Sequence, residues 1–152
     1  MARIRVDTQF GPLTVTEEEG AITRIAWDQP AEGEPTPLLR EAAAQIAAYD
    51  AGRLHSFDLP LFVKGTDFQR AVCDAMRAIP FGETLTYGDI AAALDAPARA
   101  VGGACGGNPI PVVIPCHRVM GAGGRLTGFS GAGGVETKVA LLRHEGAGGF
   151  LL

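Results

Sequence analysis

The sequence predicts two structurally different halves, an α/β region followed by a mostly helical region. Over residues 1–27 apolar and polar residues alternate, as they do in strands that bury one face. Beyond residue 66 apolar residues instead recur every three or four positions, which is typical of amphipathic helices. The segment from Pro60 to Gly65 has the composition of a linker. We therefore predict one domain at residues 1–62 and a second at residues 66–152.

The first half predicts an antiparallel meander followed by one helix. Its strands are marked by the apolar residues Ile4 and Val6, Leu13 and Val15, and Ile22, Ile25 and Trp27. Residues 28–35, rich in proline, glycine and glutamate, predict a loop. Thr36 can cap a helix that starts at Pro37 and ends before Gly52. A further short strand is expected at residues 57–59.

The second half predicts four helices. The first begins near Asp67 and stops before Pro80. Two short helices follow, one from Thr86 to Leu94 and one over about residues 98–106, with a break at residues 95–97. This spacing is typical of a helix-turn-helix, although ordinary helix packing produces the same pattern. The last helix is predicted over about residues 135–144, with Val135, Val139 and Leu142 facing inward.

Charge is unevenly distributed along the chain, whose formal net charge is −4. Residues 1–66 hold ten acidic and six basic residues, whereas residues 67–152 hold seven of each. Phosphate contacts need lysine and arginine, so we expect any DNA contact in the second half, with a shallow salt dependence. No apolar run approaches the roughly 20 residues that span a bilayer, and the start lacks a signal-peptide core. We therefore expect no membrane association and a cytoplasmic location.

Cys116 is the strongest candidate for a reactive residue. The chain has three cysteines and no CxxC pair, which disfavours a disulfide framework or a cysteine-rich zinc site. Cys116 follows an apolar run at residues 110–114, which we expect to be extended and buried. The alternative is that a cysteine simply fills apolar space, and we keep that interpretation for Cys73 and Cys105.

The two residues after Cys116 could activate its thiol. A free cysteine has a pKa of roughly 8.5, so a nearby cation or base is needed to form the thiolate at neutral pH. His117 and Arg118 could both raise the local positive potential. His117 can act on Cys116 only if the chain turns at Pro115 or a water bridges the two, because strand neighbours point to opposite faces. Glu145 is a candidate for orienting the imidazole.

Arg99 and Tyr87 stand out in the predicted helix pair. Arg99 is the one long side chain in a helix of alanine, valine, glycine and cysteine, and so thin a helix can approach a DNA groove closely. A solvated surface arginine is the alternative. Tyr87 opens the first helix of the pair, where core packing is the alternative to a functional role.

From residue 65 to residue 147 the chain resembles the O6-alkylguanine-DNA alkyltransferases. Before Pro115 the matching segments are Gly65–Gln69, Ile79–Tyr87, Arg99–Gly102 and Asn108–Pro109. From there they are Ile114–Val119, Gly128–Gly131, Lys138 and Leu141–Gly146. The Pro-Cys-His-Arg-Val sequence is highly specific in this setting, whereas the first 60 residues match only in layout.

The resemblance implies a fold and a partner. The first half would be a ribonuclease-H-like α/β domain, and the second a mostly helical domain with a helix-turn-helix. The partner would be double-stranded DNA containing O6-alkylguanine, bound at its minor groove by a monomer with the damaged base flipped out. No cofactor is implied.

The resemblance also implies catalytic roles. Cys116 would take the alkyl group irreversibly, in an in-line displacement. His117 would remove the thiol proton through a water, and Glu145 would orient His117. Tyr87 would help to protonate the departing guanine. Asn108 would tie the second helix of the pair to the segment that carries Cys116.

Binding roles follow from the same resemblance. Arg99 would fill the gap left by the flipped base, and Tyr87 would touch the DNA backbone. The predicted DNA-binding set is completed by Ala98, Gly102 and Gly103. Ser130 and the carbonyl groups around Cys116 and Val119 would recognise the guanine.

The chain departs from the family pattern at two positions. Cys73 stands where tryptophan is usual, which should affect packing, and Ala132 stands where glycine is commoner, which should reshape the pocket wall slightly. Some members bind zinc in the first domain, but this region offers only His55 and no cysteine. We therefore predict no metal.

Three other functions remain as alternatives. A lesion-recognition module resembling the alkyltransferase-like proteins would usually carry tryptophan in place of Cys116. A transcription regulator would need an additional domain, for which we expect no room. A cysteine hydrolase would need an oxyanion hole and turnover, neither of which the sequence requires.

Overall fold

The computed structural model describes residues 1–126 and 134–147, and in these ranges the backbone forms five strands and five α-helices. The chain divides into two units, residues 1–64 and 65–152. In the described ranges no helix is long and apolar enough to cross a membrane.

The first unit is a three-stranded antiparallel sheet covered on one face by a helix. Strands β1 (Ala2–Val6), β2 (Leu13–Glu18) and β3 (Ala21–Trp27) lie in the order β1-β2-β3, as the alternation predicted. Ile4, Val15 and Ile25 align across the sheet and share its apolar face. Helix α1 (Pro37–Asp50) begins where the Thr36 hydroxyl accepts a hydrogen bond from Leu39 N, and its buried residues pack on β1 and β2.

The strand expected at residues 57–59 is wrong. Those residues pair with no strand, and the backbone instead meets β3 two residues later, at an isolated bridge between Leu61 and Ile22. Ile22 N donates to Pro60 O at 2.8 Å and Phe62 N donates to Ile22 O at 2.9 Å. Leu59 is buried as a core side chain, which explains why its neighbourhood has the apolar composition of a strand.

Over residues 65–126 and 134–147, the second unit contains four α-helices and one short parallel strand pair. Helices α2 (Asp67–Arg77), α3 (Tyr87–Leu94) and α4 (Ala98–Gly106) contact one another. Strand β4 (Leu85–Thr86) pairs with β5 (Val119–Met120), and the unit closes with α5 (Val135–Glu145). Asp95, with φ of +52°, begins the tight turn between α3 and α4, so the two helices follow each other as predicted.

The inward face of helix α5 includes Leu142, as predicted, but Val139 is only half-buried and Val135 lies outside that face. Val135 is 40% exposed, whereas Lys138, Leu141, Leu142 and Glu145 are buried. These four positions have the i, i+3, i+4, i+7 spacing of one helix face. Two of these four inward residues are charged. A prediction that used apolar residues alone therefore missed them and wrongly placed Val135 on the inward face.

Candidate active site

The chain turns sharply at Cys116. Residues Cys116–Arg118 form a single 3-10 turn in which Arg118 N donates to Pro115 O at 2.9 Å. Such a turn is one of the two conditions under which His117 was expected to act on Cys116, the other being a bridging water. Cys116 is 6% exposed and His117 is fully buried, so the site is almost closed to solvent in the described residues.

The apolar run before Cys116 is buried as predicted, but it is not extended. Ile114 N donates to Ile110 O at 2.9 Å, which folds the run into a turn. Val112 adopts a φ of +73°, a conformation that β-branched residues rarely adopt. Backbone strain of this kind persists only where surrounding packing holds it, and here Val112 is 2% exposed. Apolar composition alone does not distinguish such a compact turn from a strand.

His117 and Glu145 lie together although 28 residues separate them in sequence. His117 Nε2 is 2.7 Å from Glu145 Oε2, and both side chains are completely buried. A carboxylate oxygen accepts, so Nε2 carries the proton of the neutral ring. Burial lowers the pKa of His117, and the hydrogen bond to Glu145 opposes that effect. Nδ1 of His117 has no hydrogen-bond partner among the described residues and is the free basic nitrogen.

Arg118 lies on the other side of the same carboxylate. Its Nε donates to Glu145 Oε1 at 2.8 Å and its Nη2 donates to Glu145 Oε2 at 3.0 Å. Nη1 donates to the backbone carbonyl of Ile79 at 2.7 Å, and the guanidinium carbon is 5.8 Å from the centre of the Phe81 ring. The guanidinium therefore holds Glu145 in its charged form and fixes its orientation.

The expectation that Arg118 increases the acidity of Cys116 is not met. Its charge is engaged by Glu145, and burial raises the pKa of the Cys116 thiol. A hydrogen bond from the Asn108 side chain and the positive charge of Lys138 lower that pKa, but they do not outweigh burial. Cys116 is therefore a neutral thiol at rest and needs a base.

Asn108 connects the end of α4 to the segment that carries Cys116. Its Nδ2 donates to Ile114 O at 2.8 Å, and its Oδ1 accepts from Ile110 N at 3.0 Å. Asn108 lies two residues beyond Gly106, the last residue of α4. One buried amide thus satisfies two backbone groups of the folded run and holds it against the helix end.

Lys138 is a site residue to which sequence reasoning gave no role. It is 1% exposed, and its Nζ donates to the backbone carbonyl of Val119 at 2.6 Å. Burial lowers its pKa, and the nearby thiols of Cys116 and Cys105 oppose this effect. The available signal was its spacing of three and four residues from Leu141 and Leu142, which places it on the inward face of α5.

Tyr87 is brought to this region by the strand pair β4–β5. Thr86, the residue before it, is paired with Met120, four residues after Cys116. Thr86 and Asp89 form a capping box that starts α3 at Tyr87. Tyr87 is half-buried, which combines partial packing with access to solvent.

The predicted DNA-binding residues of α4 lie on its surface. Ala98, Arg99 and Gly103 are exposed and Gly102 is half-buried, whereas Val101, Ala104 and Cys105 are buried. A Cβ atom added to Gly102 or Gly103 would meet nothing within 4 Å. These glycines leave room outside the helix and are not required by packing within the protein.

One predicted site residue cannot be placed. Ser130 lies outside the described residues, as does Ala132. Val119, the other predicted guanine contact, is fully buried, and its carbonyl already accepts the Lys138 hydrogen bond. A carbonyl oxygen has a second lone pair, so a further donor could still bind there.

Comparison with known proteins gives matches along almost the whole chain. The family model described as 6-O-methylguanine DNA methyltransferase, DNA binding domain, matches residues 67–147. A second one, described as 6-O-methylguanine DNA methyltransferase, ribonuclease-like domain, matches residues 3–63.

Relatives with names of the same kind are similar over most of their length. A methylated-DNA–protein-cysteine methyltransferase of Mycobacterium bovis is 44% identical over 149 residues, covering 92% of this chain and 89% of the relative. The constitutive enzyme of that name from Bacillus subtilis is 43% identical over 152 residues, covering 91% of this chain and 92% of its own.

Solved structures agree with these matches. The crystal structure of Mycobacterium tuberculosis O6-methylguanine methyltransferase superimposes with a TM-score of 0.84 at 42% identity, covering 95% of this chain and 92% of that chain. Mycobacterium tuberculosis OGT in complex with DNA gives a TM-score of 0.82 at 44% identity, covering 93% and 91%. Together with the family models, these matches confirm the predicted fold class.

Proposed function

Because this chain belongs to the 6-O-methylguanine DNA methyltransferase family, we propose that it repairs DNA by moving the alkyl group of O6-alkylguanine onto Cys116. The observation that carries the proposal is that a fixed carboxylate holds one ring nitrogen of His117 while its other ring nitrogen is free. Glu145 holds Nε2, and Nδ1 is left to take a proton. Such a base is what a buried, neutral thiol requires.

Proton removal is the first step of the proposed reaction. Nδ1 of His117 takes the thiol proton, through a bridging water, and the ring becomes an imidazolium. Glu145 stabilises that positive charge at 2.7 Å, while Arg118 keeps the carboxylate ionised and oriented. Lys138 and the Asn108 amide favour the thiolate that is left on Cys116.

Alkyl transfer then proceeds as an in-line displacement. Sγ of Cys116 attacks the alkyl carbon, an S–C bond forms, and the bond between that carbon and guanine O6 breaks. The guanine takes up a proton, which we assign to the Tyr87 hydroxyl, and Tyr87 is reprotonated from solvent. The thioether is stable, so each protein molecule acts once.

DNA binding is assigned to the surface of α4. Ala98, Arg99, Gly102 and Gly103 would enter the minor groove of the duplex, where short side chains permit close approach. Arg99 would occupy the space vacated by the flipped guanine, since it is the single long side chain on this surface. Ser130 and the Val119 carbonyl would contact the guanine. We propose that one copy of the chain suffices, without cofactor or metal, and that it acts in the cytoplasm.

The proposal is tested by intact-protein mass spectrometry after incubation with a duplex that contains one O6-methylguanine. We expect each protein molecule to gain one methyl group in place of hydrogen, mapped to Cys116, with no gain in Cys116→Ala. Cys105→Ala is the matched control, because it removes another buried thiol and should still be methylated. Lesion-selective binding without any mass gain would contradict the proposal and indicate a recognition module.

A further inference from the structure

The sheet of the first unit carries arginines on the face that points away from α1. Ile4, Val15 and Ile25 form an apolar row across the sheet, in which Val15 and Ile25 are buried, and α1 contacts β1 and β2. Because side chains alternate along strands, the adjacent row of Arg3, Thr16 and Arg24 points to the opposite face. Arg24 is exposed and Arg3 is half-buried.

These residues line a small surface depression. Its volume is about 40 Å³, and it is lined by Arg3, Thr14, Thr16, Arg24, Ala26 and Gln29. We refer to these six residues as the Arg3–Arg24 face. Its donors toward a ligand are two guanidinium groups and an amide, since Thr14 and Thr16 are buried and the Thr14 hydroxyl donates to Gln29 O at 2.6 Å, and no carboxylate lines it. Such a set favours a ligand whose polar atoms are oxygen acceptors.

Neither arginine of this face is neutralised by the protein. Arg5, the next basic residue along β1, is paired with Asp28 at 3.0 Å and with Asp7 at 4.0 Å. In the ranges 1–126 and 134–147, by contrast, no ion pair involves Arg3 or Arg24. Their backbones are roughly 10 Å apart, because one strand lies between them. Two unpaired cations at this separation favour an anion that can engage both guanidinium groups.

We propose that the Arg3–Arg24 face binds the phosphodiester backbone of DNA. Arginine matches phosphate oxygens with paired N–H donors, and the face supplies two such groups. The inference rests on the proposed action on DNA and adds a second contact to the one assigned to α4. It departs from the expectation that DNA contacts lie only in the second half of the chain.

The helix pair itself brings little positive charge to a phosphate backbone. Residues 83–108, which contain α3 and α4, carry three carboxylates and a single arginine, Arg99. This segment alone would be repelled by a phosphate backbone, since affinity for DNA depends on neutralised phosphates. Phosphate contacts by Arg3 and Arg24 would add neutralised phosphates, although the first unit as a whole is acidic.

The test is the salt dependence of binding to an undamaged duplex, measured by fluorescence anisotropy. Arg3→Gln/Arg24→Gln should make the negative slope of log Kobs against log salt shallower by about 1.8, since each neutralised phosphate contributes about 0.9 to its magnitude. Between 50 and 200 mM salt, the intact protein should therefore lose about tenfold more affinity than the variant. Arg3→Lys/Arg24→Lys keeps both charges and should retain most of the slope.

Arg40→Gln/Arg53→Gln is the matched control, because it removes two exposed arginines from the same unit. If the slope of Arg3→Gln/Arg24→Gln is as steep as that of this control, the proposal is overturned. The proposal would also be overturned if the slope of Arg3→Gln/Arg24→Gln is unchanged while inorganic phosphate stabilises the unaltered protein but not this variant. That result would assign the face to a free anion. Methyl transfer to Cys116 at saturating DNA is measured for every variant, so failure of the proposed repair function would be seen separately.

Discussion

Both carboxylate oxygens of Glu145 are held by the guanidinium of Arg118, at 2.8 and 3.0 Å, while one of them also meets His117 Nε2 at 2.7 Å. All three side chains are buried. Glu145 therefore binds both a permanent cation and a base that becomes a cation only during reaction. The permanent pair keeps the carboxylate ionised, so its charge is already in place when the imidazolium forms.

Replacing either Arg118 or Glu145 alone should destabilise the folded protein strongly. Replacing both together should destabilise it less. Arg118→Met leaves a buried carboxylate without its cation, and Glu145→Gln leaves a buried guanidinium, so each should lower the free energy of unfolding by about 3–5 kcal/mol. The double variant buries no uncompensated charge. Urea unfolding of the four proteins measures the coupling, and strictly additive losses would show that the pair does not act as a unit.

Acid should destabilise the protein through His117. Burial lowers the pKa of this group in the folded protein, so the unfolded chain binds the proton more readily. Its stabilising contribution is present above the unfolded pKa of roughly 6.5 and is lost as the pH falls through the folded pKa. The free energy of unfolding should fall by up to about 1.4 kcal/mol per pH unit in that window.

Two variants isolate the contribution of His117. Unfolding between pH 7 and pH 5 is compared in His117→Gln and in His55→Gln, which removes an exposed histidine from the first unit. The free energy of unfolding should depend less steeply on pH in His117→Gln than in His55→Gln. Equal slopes in the two variants would mean that burial of His117 does not control acid stability.

Removing the charge of Lys138 should slow the reaction without abolishing it. Lys138 lowers the pKa of Cys116, so Lys138→Met should raise that pKa further and reduce the thiolate fraction. We expect the single-turnover rate to drop about tenfold at neutral pH for each unit of added pKa. Rates at saturating methylated DNA, measured from pH 6.5 to 9.5, should recover as the pH rises. Lys64→Met, which removes a cation from the first unit, should leave the dependence of the rate on pH unchanged.

The helices could be predicted from the sequence because their ends have local causes. Thr36, Thr66 and Thr86 each cap a helix through a hydroxyl, and Gly146 ends α5 in the left-handed region. These signals involve residues three or four positions apart. The element order and helix bounds are therefore close to those predicted, apart from the strand expected at residues 57–59.

Contacts between distant segments could not be predicted in the same way. Adjacency in sequence suggested that Arg118 acts on Cys116, but packing of α5 supplies Glu145 and captures the guanidinium. Similarly, the turn at residues 110–114 is held by Asn108, whose side chain bonds Ile110 N and Ile114 O, and sequence spacing does not indicate these contacts. The inward position of Lys138 could have been suspected from helical spacing, but its bond to Val119 depends on tertiary structure.

The open surface of α4 leads to a prediction in which stability and DNA binding change in opposite directions. Gly103 is exposed, and a Cβ atom there would meet nothing within 4 Å. Gly103→Leu should therefore stabilise the helix by about 0.5–1 kcal/mol, since glycine is a poor helix former. The added side chain would also stand between α4 and the minor groove, so affinity for duplex DNA should fall at least tenfold. Ala47→Leu, which adds a similar side chain to the exposed surface of α1, controls for the extra apolar area. Thermal unfolding and anisotropy titrations measure the two effects, and unchanged DNA affinity in Gly103→Leu would exclude this surface of α4 from the interface.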